Sequence, residues 1–340
     1  MLQDKTITSF GNNPHPGTEN NKDTVIVLLG PTGVGKTALS ICLANALNTE
    51  IISADSMQIY RHMDIGTSKP SDRELKKAKH HLIDILSPDE LFSAGMFRKM
   101  STKIIKGLHN RGKIPIIVGG TGLYIRTLTK GLFDGPEADW SLREKLMEEE
   151  RCFGKGYLYK RLKKIDAVSA DKINPNDTRR IIRALEVSLT GKKTITEFQH
   201  SSTVPQSYNF IKIGLLRERK ELYRRIEQRV DAMMEKGLLQ ETDRLLKMNP
   251  YKTALQALGY KEMQLVLNGS LTPEEAVRLL KKRTKMYAKR QFTWFRKEPE
   301  VRWLDITGIT DSEEIFAKAV NDIDPVRKLL ISRSPQSPTF

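Results

Sequence analysis

The sequence predicts an α/β fold, a doubly wound parallel sheet interrupted by a helical insertion. Three observations lead there. A glycine-rich loop of phosphate-binding type follows the first apolar run. Further short apolar runs recur along the chain, the early ones separated by helical stretches. One interval between runs is too long for a single crossover helix.

The loop is Gly30-Pro31-Thr32-Gly33-Val34-Gly35-Lys36-Thr37, which fills every required position of G-x-x-x-x-G-K-[ST]. The apolar run 25–29 before it reads as a buried strand, and 38–47 after it reads as a helix. That context makes the fold P-loop NTPase-like. Glycines let backbone N–H groups converge on phosphate oxygens. Lys36 adds a point charge, and the Thr37 hydroxyl suits a magnesium ion. The motif implies a polyphosphate ligand but not its fate.

Runs 50–53, 82–86, 114–118 and 210–216 read as further buried strands, and 301–306 as a late one. Between 118 and 210 lie helical stretches at 142–152, 157–165, 167–172 and 177–189. The expected organisation is therefore discontinuous. A catalytic core spans 23–129 and 209–310, and a helical insertion spans 130–208. The insertion is entered through a glycine-bearing segment and left through a Ser/Gln-rich one. Residues 1–22 read as a disordered tail, and 311–340 as a helix followed by a tail. Long helices are expected at 220–235 and 273–296.

The chain has 340 residues, with 57 Lys and Arg against 41 Asp and Glu, a net charge of +16. A surplus of that size points to a polyanionic partner, nucleic acid being the usual one. Cys42 and Cys152 are its two cysteines, which excludes a disulfide scaffold and a cysteine-based zinc finger. No apolar run approaches the roughly 20 residues a bilayer span needs, and the N-terminal segment has no secretory apolar region. A cytoplasmic protein without a membrane partner is expected, acting as a monomer.

Asp55 follows the second strand, on the edge where ligands of open α/β sheets collect. A carboxylate there either assists chemistry, as a base or a metal ligand, or caps a helix. Gly119-Gly120-Thr121 ends the 114–118 run where a motor ATPase would place a Walker-B aspartate. Those glycines would let a flat ligand approach the backbone, with Thr121 offering one hydrogen bond, or simply make a turn. Asp84 is a lesser metal candidate. Nine cations stand between 278 and 297 without an acid, with Tyr287, Phe292, Trp294 and Phe295 interleaved. That segment reads either as a phosphate-facing helix or as a core helix with a solvated basic face. Arg179, Arg180 and Arg183 open another helix, against its dipole. The six histidines show no metal spacing.

Taken together, these residues resemble the tRNA dimethylallyltransferases (tRNA isopentenyltransferases) of bacterial type, from about 25 to 306. The resemblance is carried by the phosphate loop, by Ile52-Ser53-Ala54-Asp55-Ser56-Met57-Gln58-Ile59-Tyr60, and by Met63-Asp64-Ile65-Gly66-Thr67-Ser68-Lys69-Pro70. Val118-Gly119-Gly120-Thr121-Gly122-Leu123-Tyr124, Asn174-Pro175-Asn176-Asp177, Arg183-Ala184-Leu185-Glu186, Gly259-Tyr260 and Lys289-Arg290-Gln291-Phe292-Thr293-Trp294-Phe295-Arg296 continue it. The zinc-finger cysteines that eukaryotic members often carry are missing.

The resemblance implies transfer of a dimethylallyl group from dimethylallyl diphosphate to N6 of the adenosine 3′ of the anticodon, position 37, with Mg²⁺. It implies that Asp55 is the general base, assisted by Lys36 and Thr121. The loop from Gly30 to Thr37 would hold the diphosphate, with Arg229 as a further ligand. It implies tRNA contacts at Asp55, Ser56, Met57, Gln58, Thr121, Arg143, Arg179, Arg180, Ile181, Ile182, Arg183, Gln256, Gly259, Tyr260 and Lys261. Three other readings compete: a P-loop kinase of a small metabolite, an enzyme prenylating free adenine nucleotides, and a non-catalytic RNA-binding protein with a relic loop.

Overall fold

The computed structural model describes residues 23–133, 135–191, 193–202 and 206–332. The tail expected at 1–22, and that expected at 332–340 from residue 333 onward, lie outside the described residues.

Six strands form one parallel sheet: β1 (Thr24–Leu29), β2 (Ile51–Ser53), β3 (His80–His81), β4 (Ile116–Gly119), β5 (Asn209–Leu216) and β6 (Val301–Asp305). Their spatial order is β3-β2-β4-β1-β5-β6. All six residues of β1 are buried, which is why it reads as an unbroken apolar run without alternation. It pairs with β4 (Ile26 beside Ile116) and with β5 (Leu29 beside Gly214). The carboxyl ends of β1, β2, β4 and β5 therefore open onto one edge.

Helices α1 (Lys36–Ala46), α2 (Asp72–Lys77), α3 (Ala94–His109) and α4 (Gly122–Thr129) intervene between and after the first four strands. Gly35 starts α1 at φ 119°, a left-handed conformation that a side chain would resist. Ser71 starts α2 with a capping box completed by Glu74. After β5 come α10 (Arg219–Glu235), α11 (Leu238–Lys247), α12 (Tyr260–Leu267) and α13 (Pro273–Phe295). After β6 come α14 (Ser312–Asp322) and α15 (Asp324–Ile331), two helices where the sequence suggested one. Ile26 and Leu28 of β1, Ile213 and Leu215 of β5 and Leu39 and Leu43 of α1 share the main apolar core. Each such side chain contributes about 1.5–3 kcal/mol by leaving water.

The expected strand at 82–86 is not one. Strand β3 stops at His81, and Leu82 and Asp84 turn to φ 62° and 56°. Left-handed residues break the pleat. Competing partners hold the segment instead. Ile85 and Leu86 both donate to the Ile59 carbonyl. The Lys69 ammonium, almost buried, bonds the Tyr60 carbonyl and pairs with Asp64 and Asp84. Asp84 is thus drawn onto Lys69, which removes it as a metal candidate.

The chain forms two compact units, one of residues up to 125 together with those from 207 onward, the other of 126–206. The second unit contains α5 (Trp140–Phe153), α6 (Tyr157–Ile165), α7 (Ala167–Lys172), α8 (Thr178–Thr190) and α9 (Ile195–Ser202). Asp139, Asp166 and Asp177 cap α5, α7 and α8 by accepting backbone N–H groups. Leu146, Leu158, Leu162, Ile181 and Leu185 build its own core. Among the described residues, no helix is long and apolar enough to cross a membrane.

Candidate active site

The phosphate loop leaves β1 at its carboxyl end, and its carbonyls are tied down by its own lysine and by two arginines from elsewhere in the chain. Lys36 Nζ donates to the carbonyls of Gly30 (2.9 Å) and Pro31 (2.8 Å). Arg225 Nε donates to the Gly33 carbonyl at 3.1 Å, and Arg217 Nε to that of Val34 at 2.8 Å. With its carbonyls so engaged, the loop is left to present N–H groups to an anion. Gly30 is required: a Cβ there would lie 2.9 Å from the Leu215 carbonyl oxygen of neighbouring β5.

Arg229 Nη1 reaches the Thr32 hydroxyl at 3.3 Å. It and Lys36 have no carboxylate within ion-pair distance among the described residues. Burial first and then the Arg229 charge pull the Lys36 ammonium down to about 7, with Asp55 opposing them. Burial also lowers Arg229, with Arg225 adding to the effect. Two buried cations without a carboxylate partner are poised for an anion, which would favour their charged forms.

Asp55 follows β2 on the same edge. No helix begins there, so it is not a helix cap. Its carboxylate accepts the N–H groups of Met57 (2.9 Å) and Gln58 (3.4 Å) in a tight turn. Burial raises its pKa, those two bonds and Lys36 lower it, and the balance is upward. Asp55 and Lys36 feel each other's charge, so the base candidate and the phosphate-loop lysine share one site. Tyr287 is held neutral, its phenol pushed up to about 12 by burial and then by the Asp55 charge. Gln58 is fixed by donating to the Thr67 and Ser68 carbonyls.

The glycines that end and follow β4 do not make room for a flat ligand. Their missing Cβ atoms make room for protein: the Ala54 main chain against Gly119, Gln291 against Gly120 and Trp294 against Gly122. Thr121 takes part in the same packing. Its N–H donates to the Ala54 carbonyl, and its hydroxyl accepts the Ser56 N–H at 3.2 Å.

Gln291 is the residue that sequence reasoning missed. Its side chain is 7% exposed. Its Oε1 accepts the Thr32 N–H at 2.8 Å, and its Nε2 donates to the Gly120 carbonyl at 2.9 Å. One amide thus joins the phosphate loop to the turn that holds Ser56 beside Asp55. Arg217 and Arg225, which hold loop carbonyls, were missed too. The signal available was a polar amide three residues before Trp294 on a helix face that packs against a glycine turn.

The remaining expected contacts divide by exposure. In the core unit, Gln256 and Lys261 are exposed, while Gly259 and Tyr260 are buried. Tyr260 donates its hydroxyl to Glu241 at 2.6 Å. Glu241 also accepts the N–H groups of Asp64, Ile65 and Gly66, so Tyr260 helps order that loop. In the insertion, Arg179 and Arg180 are exposed, but Ile181 and Ile182 are 2% and 6% exposed, inside its core. Arg143 makes a fork to Glu186 with two bonds of 2.8 Å, and Arg183 binds the same carboxylate at 2.5 Å. Glu186 is wholly buried; burial opposes its charge, but the two arginines outweigh it and hold its pKa low.

Thr37 makes no side-chain hydrogen bond among the described residues, and they include no cluster of three His, Cys, Asp or Glu suited to a metal. That donor set fits a magnesium ion bound largely through a substrate's own phosphates.

Comparison with known proteins bears on this geometry. Residues 58–298 match the family model "IPP transferase". The chain is 55% identical over 301 residues to a tRNA dimethylallyltransferase of Thermodesulfovibrio yellowstonii, covering 86% of this chain and 95% of that one. It is 48% identical over 320 residues to one from Halothermothrix orenii, covering 92% and 96%. The crystal structure of a tRNA isopentenylpyrophosphate transferase from Bacillus halodurans superposes with a TM-score of 0.66 at 41% identity, covering 90% of this chain and 99% of that one. A eukaryotic dimethylallyltransferase caught acting on tRNA superposes with a TM-score of 0.76 at 30% identity, covering 93% and 81%.

Proposed function

The chain belongs to the IPP transferase family, and on that premise we propose that it transfers a dimethylallyl group from dimethylallyl diphosphate to N6 of the adenosine at position 37 of tRNA. The observation that carries this reading is that one bridge brings the phosphate loop and Asp55 to the same sheet edge: Gln291 joins the Thr32 N–H to the Gly120 carbonyl, and neighbouring Thr121 holds Ser56 beside Asp55.

The loop N–H groups and Arg229 take the donor's diphosphate. Lys36 turns from the Gly30 and Pro31 carbonyls to the phosphate oxygens, and its ammonium becomes fully charged there. Asp55, held by the Met57 and Gln58 N–H groups, orients the exocyclic amine. The N6–carbon bond forms as the carbon–oxygen bond to diphosphate breaks. The amine proton passes to Asp55, and diphosphate leaves on Lys36 and Arg229. Base assistance of this kind is worth about 10²–10⁴-fold. Magnesium, held by Thr37 and the donor's phosphates, would neutralise part of the leaving charge. An adenine in a stacked helix cannot reach this edge, whereas a loop base can be extruded to it at modest cost. No nucleotide is hydrolysed in this scheme. The protein works as a cytoplasmic monomer.

The test is direct. Purified protein, the donor and an anticodon stem-loop should give an RNA heavier by one dimethylallyl group on N6. Prenylation of AMP as fast as of the stem-loop would favour the free-nucleotide reading. ATP turnover on a small hydroxyl substrate, without RNA, would favour the kinase.

A further inference from the structure

Helices α10 and α13 flank a groove of about 460 Å³ that shares no residue with the site described above. It opens on a different face of the helix pair. Arg225 and Arg229 of α10 and Gln291 of α13 reach the phosphate loop. The groove is lined instead by the row Arg219, Tyr223 and Glu227 and by a second row on α13. Two positions along a helix places side chains about 200° apart, so Glu227 and Arg229 face different ways, as do Lys289 and Gln291.

Six cations line this groove: Arg219, Arg278, Lys281, Lys282, Lys285 and Lys289. Two carboxylates answer them, Asp231 on Lys281 at 2.6 Å and Glu227 on Lys285. Arg278, Lys282 and Lys289 have no carboxylate within ion-pair distance among the described residues. On α13 the cations stand four apart in sequence, Lys281 to Lys285 to Lys289 and Arg278 to Lys282. Like charges at that spacing each cost about 0.2–0.5 kcal/mol. From Arg278 to Lys289 the line runs roughly 16 Å along the helix, longer than any single phosphate group. The one aromatic ring in the groove, Tyr223, is covered by the Arg219 guanidinium at 5.1 Å and approached by the Lys285 ammonium at 5.5 Å. Both cations compete with a base for that ring. The groove is suited to a strand of phosphates and not to reading bases.

We propose that the α10–α13 groove is a second nucleic-acid site, which takes the sugar–phosphate backbone of the RNA substrate outside its anticodon stem-loop. The inference rests on tRNA being the substrate. The reacting adenosine belongs at the phosphate-loop edge, so a strand lying in the groove on the other face is a different stretch of the molecule.

The experiment compares Lys282→Ala/Lys289→Ala with the parent on two RNAs, full-length tRNA and the isolated anticodon stem-loop. The variant should bind full-length tRNA roughly tenfold more weakly at low salt, with the log–log salt slope shallower by about 1–2. Its stem-loop affinity and stem-loop prenylation rate should stay within about twofold of the parent. An unchanged affinity for full-length tRNA overturns the proposal, and so does an equal loss on both RNAs, which would assign these lysines to the anticodon-arm site. Should the alanine pair lower the melting temperature, Lys282→Gln/Lys289→Gln keeps the stems and gives the same reading. If the parent prenylates neither RNA, it is the assignment of function that fails.

Discussion

The surroundings of the phosphate loop and the helical insertion both gather basic side chains, yet they use those charges in opposite ways. Around the loop, Lys36 and Arg229 have no carboxylate partner and bond only to neutral oxygens of the loop. In the insertion, Arg143 and Arg183 close on the buried carboxylate of Glu186. Cations held on weak neutral acceptors are available to a ligand. Cations committed to a buried acid belong to the fold, because removing either partner leaves a charge without compensation. A basic motif therefore becomes a ligand site only where the fold withholds the acid.

The sharpest way to break this contrast lies at the loop edge. Asp55→Ala should lower the single-turnover transfer rate about 10²–10⁴-fold while tRNA still binds. A rate within about threefold of the parent would remove Asp55 as the base. Since its pKa lies above the ordinary 3.8, the acid limb of the rate profile should appear at higher pH than for an unperturbed aspartate.

Glu186→Ala should act on folding and not on chemistry. Two arginines left beside an empty site should destabilise the insertion by about 3–5 kcal/mol, read by limited proteolysis, while donor binding to the core persists. Acid should reproduce part of this loss. The folded pKa of Glu186 lies below its ordinary 4.5, so its contribution is complete above 4.5 and disappears as pH falls through the folded value.

Gln291→Ala would leave the Thr32 N–H and the Gly120 carbonyl without their partner. Two unpaired buried groups should loosen the loop and the turn beside Asp55 together, and kcat should fall roughly 10- to 100-fold. Combined with Asp55→Ala, the further loss from Gln291→Ala should shrink, because its effect runs through the placement of Asp55. Fully multiplicative losses would mark Gln291 as merely structural.

Lys36 gives the next effect. Its ammonium titrates near 7 in the free protein and is held charged by a bound diphosphate. Donor affinity should be flat below pH 7 and weaken by up to about tenfold per pH unit above it, until the bound-state value is reached. Calorimetric titration of the donor across pH 6–9 measures this. The smallest expected effect belongs to the exposed pair. Arg179→Ala/Arg180→Ala should weaken tRNA binding and make its salt slope shallower by about 1–2, with donor binding unmoved.

Much of this was legible before any coordinates. The loop from Gly30 to Thr37 and the buried runs of β1, β4 and β5 are local signals, since a glycine turn and an unbroken apolar run depend on neighbours in sequence. The helices of the insertion were legible for the same reason. The false strand at 82–86 shows the limit. Its apolar pattern was real, but Lys69, Tyr60 and Ile59 supplied partners from elsewhere in the chain, and two left-handed residues resulted. The glycines at 119, 120 and 122 show it again. The sequence reveals that a side chain is absent there, but only packing reveals that Ala54, Gln291 and Trp294 fill the space.

From its residues alone, this protein determined a phosphate-binding loop on a parallel sheet, a helical insertion and an excess of positive charge. Those features follow from steric permission, apolar periodicity and simple counting, which need no third dimension. Only the tertiary structure decided which cations stay without an acid, because an ion pair joins residues far apart in sequence, as Arg143 and Glu186 are. The same holds for Gln291, whose two partners, Thr32 and Gly120, come within reach of its amide only when α13 packs against the sheet edge.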